Sequence, residues 1–141
     1  MKIRVEAIVN PTEDPKKVRK AVENVFDGEI LVREQGNGYM KIEGFSTDRS
    51  ALNKLYNLIR TYQIISAARS YLLKGLSGNR IVILLHKQAA YVKKLSFIDS
   101  DKESPLGAIK ILIETSDPRE LIDWLAPELK TIYKKHSSRS K

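Results

Sequence analysis

The chain has no cysteine. Disulfides, thiol nucleophiles and cysteine-ligated zinc or iron–sulfur sites are therefore excluded, and the composition fits a reducing compartment. Histidine, the usual general base near neutral pH, occurs only as His86 and His136. No HxH or HExxH spacing offers metal ligands. Asp99, Asp101 and Glu103 alternate in a loop and read as a solvated turn rather than a cation site. No apolar run approaches the roughly 20 residues that span a bilayer. The opening MKIRVEAIVNP carries charges where a signal peptide needs its apolar stretch, so no membrane partner is expected. A phosphate-binding glycine loop is also missing. Gly75-Leu76-Ser77-Gly78-Asn79 precedes a strand, without the helix N-terminus that favours phosphate. No Ser/His/Asp set can be assembled. The expectation is no catalytic residue, no metal and no cofactor, with His86 and Lys87 as the weak exception.

The last absence is of acid, and it is local. The 141 residues hold 25 Lys+Arg against 17 Asp+Glu, for a net charge of +8. Residues 1–48 hold 8 basic and 9 acidic side chains. Residues 49–98 hold 9 basic side chains and no acidic one. Residues 99–128 hold 3 basic and 8 acidic, and residues 129–141 hold 5 basic and none acidic. Helical surfaces normally pair opposite charges three or four residues apart, and the 49–98 window cannot. Lysine and arginine neutralise phosphates, and a tyrosine face stacks on an unpaired base. The candidate nucleic-acid surface is therefore Arg49, Arg60, Arg69, Lys74, Lys87, Lys93 and Lys94 for phosphates. Gln88 would add a hydrogen bond and Tyr91 a stacking face. The other window tyrosines, Tyr62 and Tyr71, fall in a buried stripe. The competing reading is that residues 99–128 neutralise the window, within the fold or across a homodimer.

Ile3, Val5, Ala7 and Val9 alternate as in a half-buried strand. Asp14-Pro15 then opens a helix, the carboxylate capping free amides and the proline costing none. Val18, Ala21, Val22, Val25 and Phe26 share its apolar face, and Gly28 is expected as a left-handed cap. Residues 29–34 and 39–45 read as strands around the hairpin turn Gly36-Asn37-Gly38. Residues 48–74 read as one long helix or two with a break near Thr61–Gln63. Arg80–Leu85, the most hydrophobic strand, is expected at the sheet centre. A helical turn at 88–92, a short strand at 95–98, a strand at 108–114 and a helix opened by Asp117-Pro118 follow. The segments around Asp14-Pro15 and Asp117-Pro118 echo one another, as repeated capping chemistry. The order points to a single α+β domain over residues 1–128, with a mostly antiparallel sheet and helices on one face. Residues 129–141 read as a basic, mobile tail.

Several segments carry a resemblance together: EAIVNPTEDPKKVRKAVENVF, AARSYLLKG, LLHKQAAYVKKLSF, ESPLGAIKILIET and IDWLAP. The chain resembles, over roughly residues 2–127, a family of small uncharacterised archaeal proteins. That family is similar in fold to the large-subunit ribosomal protein that holds the small ribosomal RNA. The resemblance implies a curved antiparallel sheet with helices on one side, and a cytoplasmic protein. It brings no activity and no catalytic residues. Where the family pattern carries a glycine shortly after Lys87-Gln88-Ala89-Ala90-Tyr91, this chain has Val92-Lys93-Lys94, which argues against a tight turn there. Two functions follow as expectations: a noncatalytic domain binding RNA or another polyanion, or a homodimeric protein-interaction module.

Overall fold

The computed structural model describes residues 1–129. Expectations about His136 and the tail beyond Leu129 lie outside the described residues. The strands are β1 (Lys2–Val9), β2 (Glu29–Gly36), β3 (Tyr39–Ser46), β4 (Leu76–Ser77), β5 (Arg80–His86) and β6 (Ala108–Glu114). The helices are α1 (Pro15–Glu23), α2 (Asn53–Thr61), α3 (Ile65–Lys74), α4 (Lys87–Tyr91) and α5 (Pro118–Leu125). Short 3-10 turns span Arg49–Leu52 and Asp101–Glu103. The strands form one curved sheet in the order β2-β3-β1-β6-β5-β4, every neighbouring pair antiparallel.

Alternation decides which face is covered. Ile3, Val5, Ala7 and Val9 of β1 are buried, as are Ile109, Ile111 and Ile113 of β6 and Ile81, Ile83 and Leu85 of β5. They pack in one core with Val18 and Val22 of α1, Leu55 and Ile59 of α2, Leu72 of α3 and Leu121 and Leu125 of α5. Each such side chain contributes about 1.5–3 kcal/mol by leaving water, which holds the helices on that face. The opposite face is laced with charge. Lys41 pairs with Glu6 at 3.1 Å and Glu43 at 3.3 Å, and Arg33 with Glu43 at 3.7 Å. The first of these pairs, with Glu43 behind it, holds the Lys41 ammonium above its ordinary pKa despite partial burial.

Three expectations need correcting. The hydrophobic strand β5 is not central; β1 and β6 are, and β5 is flanked by the two-residue β4. Its apolar run reflects a strand covered along most of its outer edge, where Phe97 forms a single bridge to Leu85 and His86 and Leu84 bond to Ser96 and Ile98. Gly28 is not a left-handed cap. Helix α1 ends at Asn24 in right-handed geometry. A Cβ at Gly28 would sit 2.8 Å from the Phe26 ring, so the glycine makes room for that side chain. Finally, the tight turn after α4 exists without a glycine. Lys93 adopts φ 60°, with Lys94 N–H on Ala89 O (2.9 Å) and Lys93 N–H on Ala90 O (3.0 Å). That is the Schellman pattern of a left-handed helix end.

The 48–74 segment resolves into a 3-10 turn and two helices. Gln63 takes φ 53°, and Ile64 N–H bonds Ile59 O at 3.1 Å, closing α2 in the same way. Both Asp-Pro openers cap their helices, one position apart: Asp14 accepts from Lys16 N–H, two residues on, at 3.0 Å, and Asp117 from Glu120 N–H, three residues on, at 3.1 Å. Because β1 and β6 run antiparallel, α1 and α5 start from opposite ends of the sheet. The helix layer divides accordingly. Helix α1 packs with α4, while α5 packs with α2 and α3.

Candidate nucleic-acid interface

Three of the four arginines of the acid-free window, Arg49, Arg60 and Arg69, gather around α5. Arg49 forms a two-pronged contact to the Glu120 carboxylate, with Nη1 to Oε1 at 2.9 Å. The Glu120 carboxyl is held below its ordinary pKa by those hydrogen bonds. Arg69 Nη1 donates to Asp123 Oδ1 at 2.7 Å and to the Ala126 carbonyl at 3.1 Å, and its Nη2 lies 3.8 Å from Glu128. Arg60 meets carbonyls instead. It donates to Leu125 O at 3.0 Å, Trp124 O at 3.2 Å and Tyr56 O at 3.2 Å. Carbonyls at a helix C-terminus lack intrahelical donors and carry partial negative charge, so Arg60 caps α5. The rings join in. Tyr56 stacks on Trp124 at 4.9 Å, with Arg60 3.3 Å from the Tyr56 centroid and Arg49 5.0 Å from that of Trp124. Arg80 pairs with Glu114 at 3.5 Å on the far side of the sheet. The segment 99–128 thus neutralises Arg49, Arg69 and Arg80 within the fold.

Lys87 is the clearest departure from expectation. Read as a phosphate contact, it is instead 3% exposed. Its Nζ donates to Ile8 O and Leu106 O, both at 2.7 Å, and to Glu13 Oε1 at 3.1 Å. An ammonium has three donors, and all are in use. It therefore ties the β1–α1 loop to the turn before β6. Burial alone would raise the Glu13 carboxyl pKa. Hydrogen bonds from the Asn10 backbone and side chain, and then Lys87, outweigh it and hold that carboxyl below its ordinary value. His86 Nδ1 accepts from Ala89 N–H at 3.2 Å and caps α4. His86 and Lys87 thus serve local structure. The acidic loop also turns inward, Glu103 accepting from Asp99 and Ser100 amides and Asp101 from Ala108. Among the described residues there is no group of three side chains able to hold a metal ion.

The α1–α4 pair is arranged differently. Asn24 at the end of α1 donates to Ala90 O at 2.9 Å and Tyr91 O at 3.2 Å, locking the two helices together. Tyr62 donates to Lys93 O at 3.0 Å and fixes the turn after α4 from the side of α2. An open groove of about 340 Å³ lies between the helices, lined by Glu13, Asp14 and Lys17 on one side and Gln88 and Tyr91 on the other. Gln88, Tyr91, Lys93 and Lys94 are exposed, and so are Lys16, Lys17 and Lys20 of α1. None of these lysines has an ion pair among the described residues. The same holds for Lys74 at the end of α3.

The structure thus brings Gln88, Tyr91, Lys93 and Lys94 together on one short segment. It places Arg49, Arg60 and Arg69 against α5, buries Lys87, and leaves Lys74 on another helix. Tyr71, expected in the buried stripe, bonds Ile98 O at 2.6 Å and stacks on Phe97 at 4.6 Å. Sequence reasoning missed Lys16, Lys17 and Lys20. Their signal was the run PKKVRK after the helix cap, concealed because residues 1–48 balance overall.

Fold and surface define a one-faced antiparallel α+β domain that carries unpaired lysines beside an open groove. The chain belongs to the UPF0201 family of archaeal proteins, and the family model that matches its residues 2–115 is described as RNA binding. It is 47% identical over 129 residues to the UPF0201 protein of Saccharolobus solfataricus, covering 91% of this chain and 88% of that one. It is 49% identical over 128 residues to the Sulfurisphaera tokodaii protein, covering 90% and 88%. The crystal structure of the UPF0201 protein from Methanococcus jannaschii superposes with a TM-score of 0.80 at 32% identity, covering 91% of this chain and 94% of that one. No helix among the described residues is long and apolar enough to cross a membrane.

Proposed function

We propose that this protein is a cytoplasmic RNA-binding domain whose phosphate contacts come from the α1–α4 side. Lys16, Lys17 and Lys20 of α1 and Lys93 and Lys94 after α4 make them, with Gln88 and Tyr91 between. Lys74 adds a peripheral contact. Lys87 does not take part, because its three donors are used, and Arg49, Arg60 and Arg69 do not, because carboxylates and helix-end carbonyls already hold their guanidinium groups. The carrying observation is that contrast: the lysines around this groove lack the carboxylate and carbonyl partners that the arginines have. The backbone at Lys93 adds to it. A left-handed conformation is cheap for glycine and costs other residues about 1–2 kcal/mol, and Lys93 stands there in this chain. The description of the family supports RNA as the polyanion. A fold shared with RNA-binding proteins would be analogy alone, so the function is argued from the surface.

Affinity for single-stranded RNA measured against salt tests the reading. Phosphate recognition predicts that log affinity falls linearly with log salt, by about 0.7 per phosphate contacted. No binding at low salt would end it.

A second reading has its own observation. The edge strand β2 exposes Leu31 (57%) and Val32 (43%), with Phe45 (51%) beside it. An exposed edge is a template for pairing with another chain. Antiparallel pairing of two copies about Leu31 would set Glu29 opposite Arg33. In this homodimeric reading, Leu31→Lys would convert a dimer into a monomer in sedimentation. A wild-type monomer would remove it.

A further inference from the structure

The groove between α1 and α4 differs from the lysines around it in one respect: it contains carboxylates. Glu13 and Asp14 line it together with Lys17, Lys87, Gln88 and Tyr91, and Glu13 is already paired with Lys87. The two carboxylates balance Lys17 and Lys87, so the groove itself holds no surplus positive charge to attract a bare phosphate. A neutral heterocycle needs none. Polar side chains of the groove are also unoccupied. The Tyr91 hydroxyl and the Gln88 amide have no hydrogen-bond partner among the described residues, and Asp14 uses only Oδ1, on Lys16 N–H. The other window tyrosines are committed: Tyr62 to Lys93 O, Tyr71 to Leu84 and Ile98. Tyr91 is 42% exposed, and Val18 and Ala21 give the groove an apolar floor. At about 340 Å³ the space lies at the small end of ligand pockets, roughly 300–1,000 Å³.

We infer that this groove takes one unpaired nucleobase of the bound RNA, stacked on Tyr91 and hydrogen-bonded at its edge by Gln88 and the free oxygen of Asp14. Lys17 at the rim and Lys93 and Lys94 beyond Tyr91 take the flanking phosphates. The inference rests on the RNA-binding reading above and makes it specific for single strands, since a paired base cannot enter. The Asp14 carboxylate accepts hydrogen bonds only; uracil offers it a single N3–H flanked by two repelling carbonyls, so bases with an exocyclic amine should be preferred.

The test compares a short single-stranded oligoribonucleotide, its duplex, and oligo(U) against oligo(A), each with wild type, Tyr91→Phe and Tyr91→Ala. Base stacking predicts that Tyr91→Ala weakens single-strand binding about 5- to 150-fold while Tyr91→Phe keeps most of it. The salt slope should not change in either variant, because no phosphate contact is lost. The duplex should bind more weakly than the single strand, and oligo(A) more tightly than oligo(U). Duplex and single strand binding equally, or Tyr91→Ala binding as wild type, would overturn the base pocket while leaving RNA binding in place. Oligo(U) matching oligo(A) would overturn the role of Asp14. No binding of any RNA would overturn the proposed function and this inference with it.

Discussion

Around α5, Arg49, Arg60 and Arg69 meet carboxylates, carbonyls and aromatic rings. Around α1 and α4, Lys17, Lys93 and Lys94 meet none. The two sets are similar in charge and differ in partners. Arginine's planar fork suits multidentate contacts such as a helix C-terminus or a carboxylate pair. Lysine at an exposed helix keeps its charge available to solvent or ligand. A count of basic residues cannot separate these two uses, whereas their hydrogen bonds do. The acid-free window is therefore two things: a clamp holding α5 on α2 and α3, and a short exposed segment after β5.

The sharpest way to break the comparison is at Lys87, which lies beside the groove but belongs with the clamp in kind. Lys87→Met would strip the Glu13 carboxylate of its counter-charge and remove a donor from Ile8 O and from Leu106 O, the latter keeping only Asn10 Nδ2. Breaking such a buried pair costs about 3–5 kcal/mol. Urea denaturation should show that loss, and a change below about 1 kcal/mol would mean that Lys87 is not the tie described. Next comes the clamp itself. Arg60→Ala removes three hydrogen bonds and a stacked cation, an expected loss of about 2 kcal/mol. Arg60→Lys should recover only part of it, because the fork geometry is missing. RNA affinity should not move in either variant.

A pH titration separates the two regions further. The Glu13 carboxyl has a folded pKa below its unfolded one. Its contribution is thus fully present above the unfolded value and is lost as pH falls through the folded value. Stability should therefore decline on the acid side, below about pH 4.5. In a Glu13→Gln variant that part of the decline should vanish. Equal acid sensitivity in both proteins would deny Glu13 the role. The smallest effect is expected at Lys93. Lys93→Gly relieves the left-handed backbone and should raise stability by roughly 0.5 kcal/mol. It should also weaken RNA binding. Opposite movement of stability and binding is what a strained functional position predicts.

Much of the fold was legible. The alternation in Ile3, Val5, Ala7 and Val9, the Asp-Pro openers at 14–15 and 117–118, and the Gly36-Asn37-Gly38 turn are local signals, and each appears where its chemistry requires. The centre of the sheet was not legible, because a covered outer edge makes β5 as apolar as a central strand. Gln63 and Lys93 in left-handed turns escaped notice, since neither is glycine. The surface was legible in part. Gln88, Tyr91, Lys93 and Lys94 lie within seven residues of chain, so sequence places them together. The partners of Arg49, Arg60 and Arg69 lie far along the chain on α5, and only the folded arrangement brings them in. The α1 lysines were hidden because the acids of residues 1–48, Glu13 and Asp14 of the groove among them, offset them in number.

The central claim is that basic residues on one side of the helix layer bind RNA and those on the other hold the fold. Two triple variants test it directly: Lys17, Lys93 and Lys94 all to Gln, and Arg49, Arg60 and Arg69 all to Gln. Single-strand RNA affinity is measured for each across salt, at a temperature where both remain folded. The lysine variant should lose affinity and flatten the salt slope by about 2, while the arginine variant loses stability and binds as wild type. An arginine variant that binds more weakly than the lysine variant, with the flatter slope, would contradict the account.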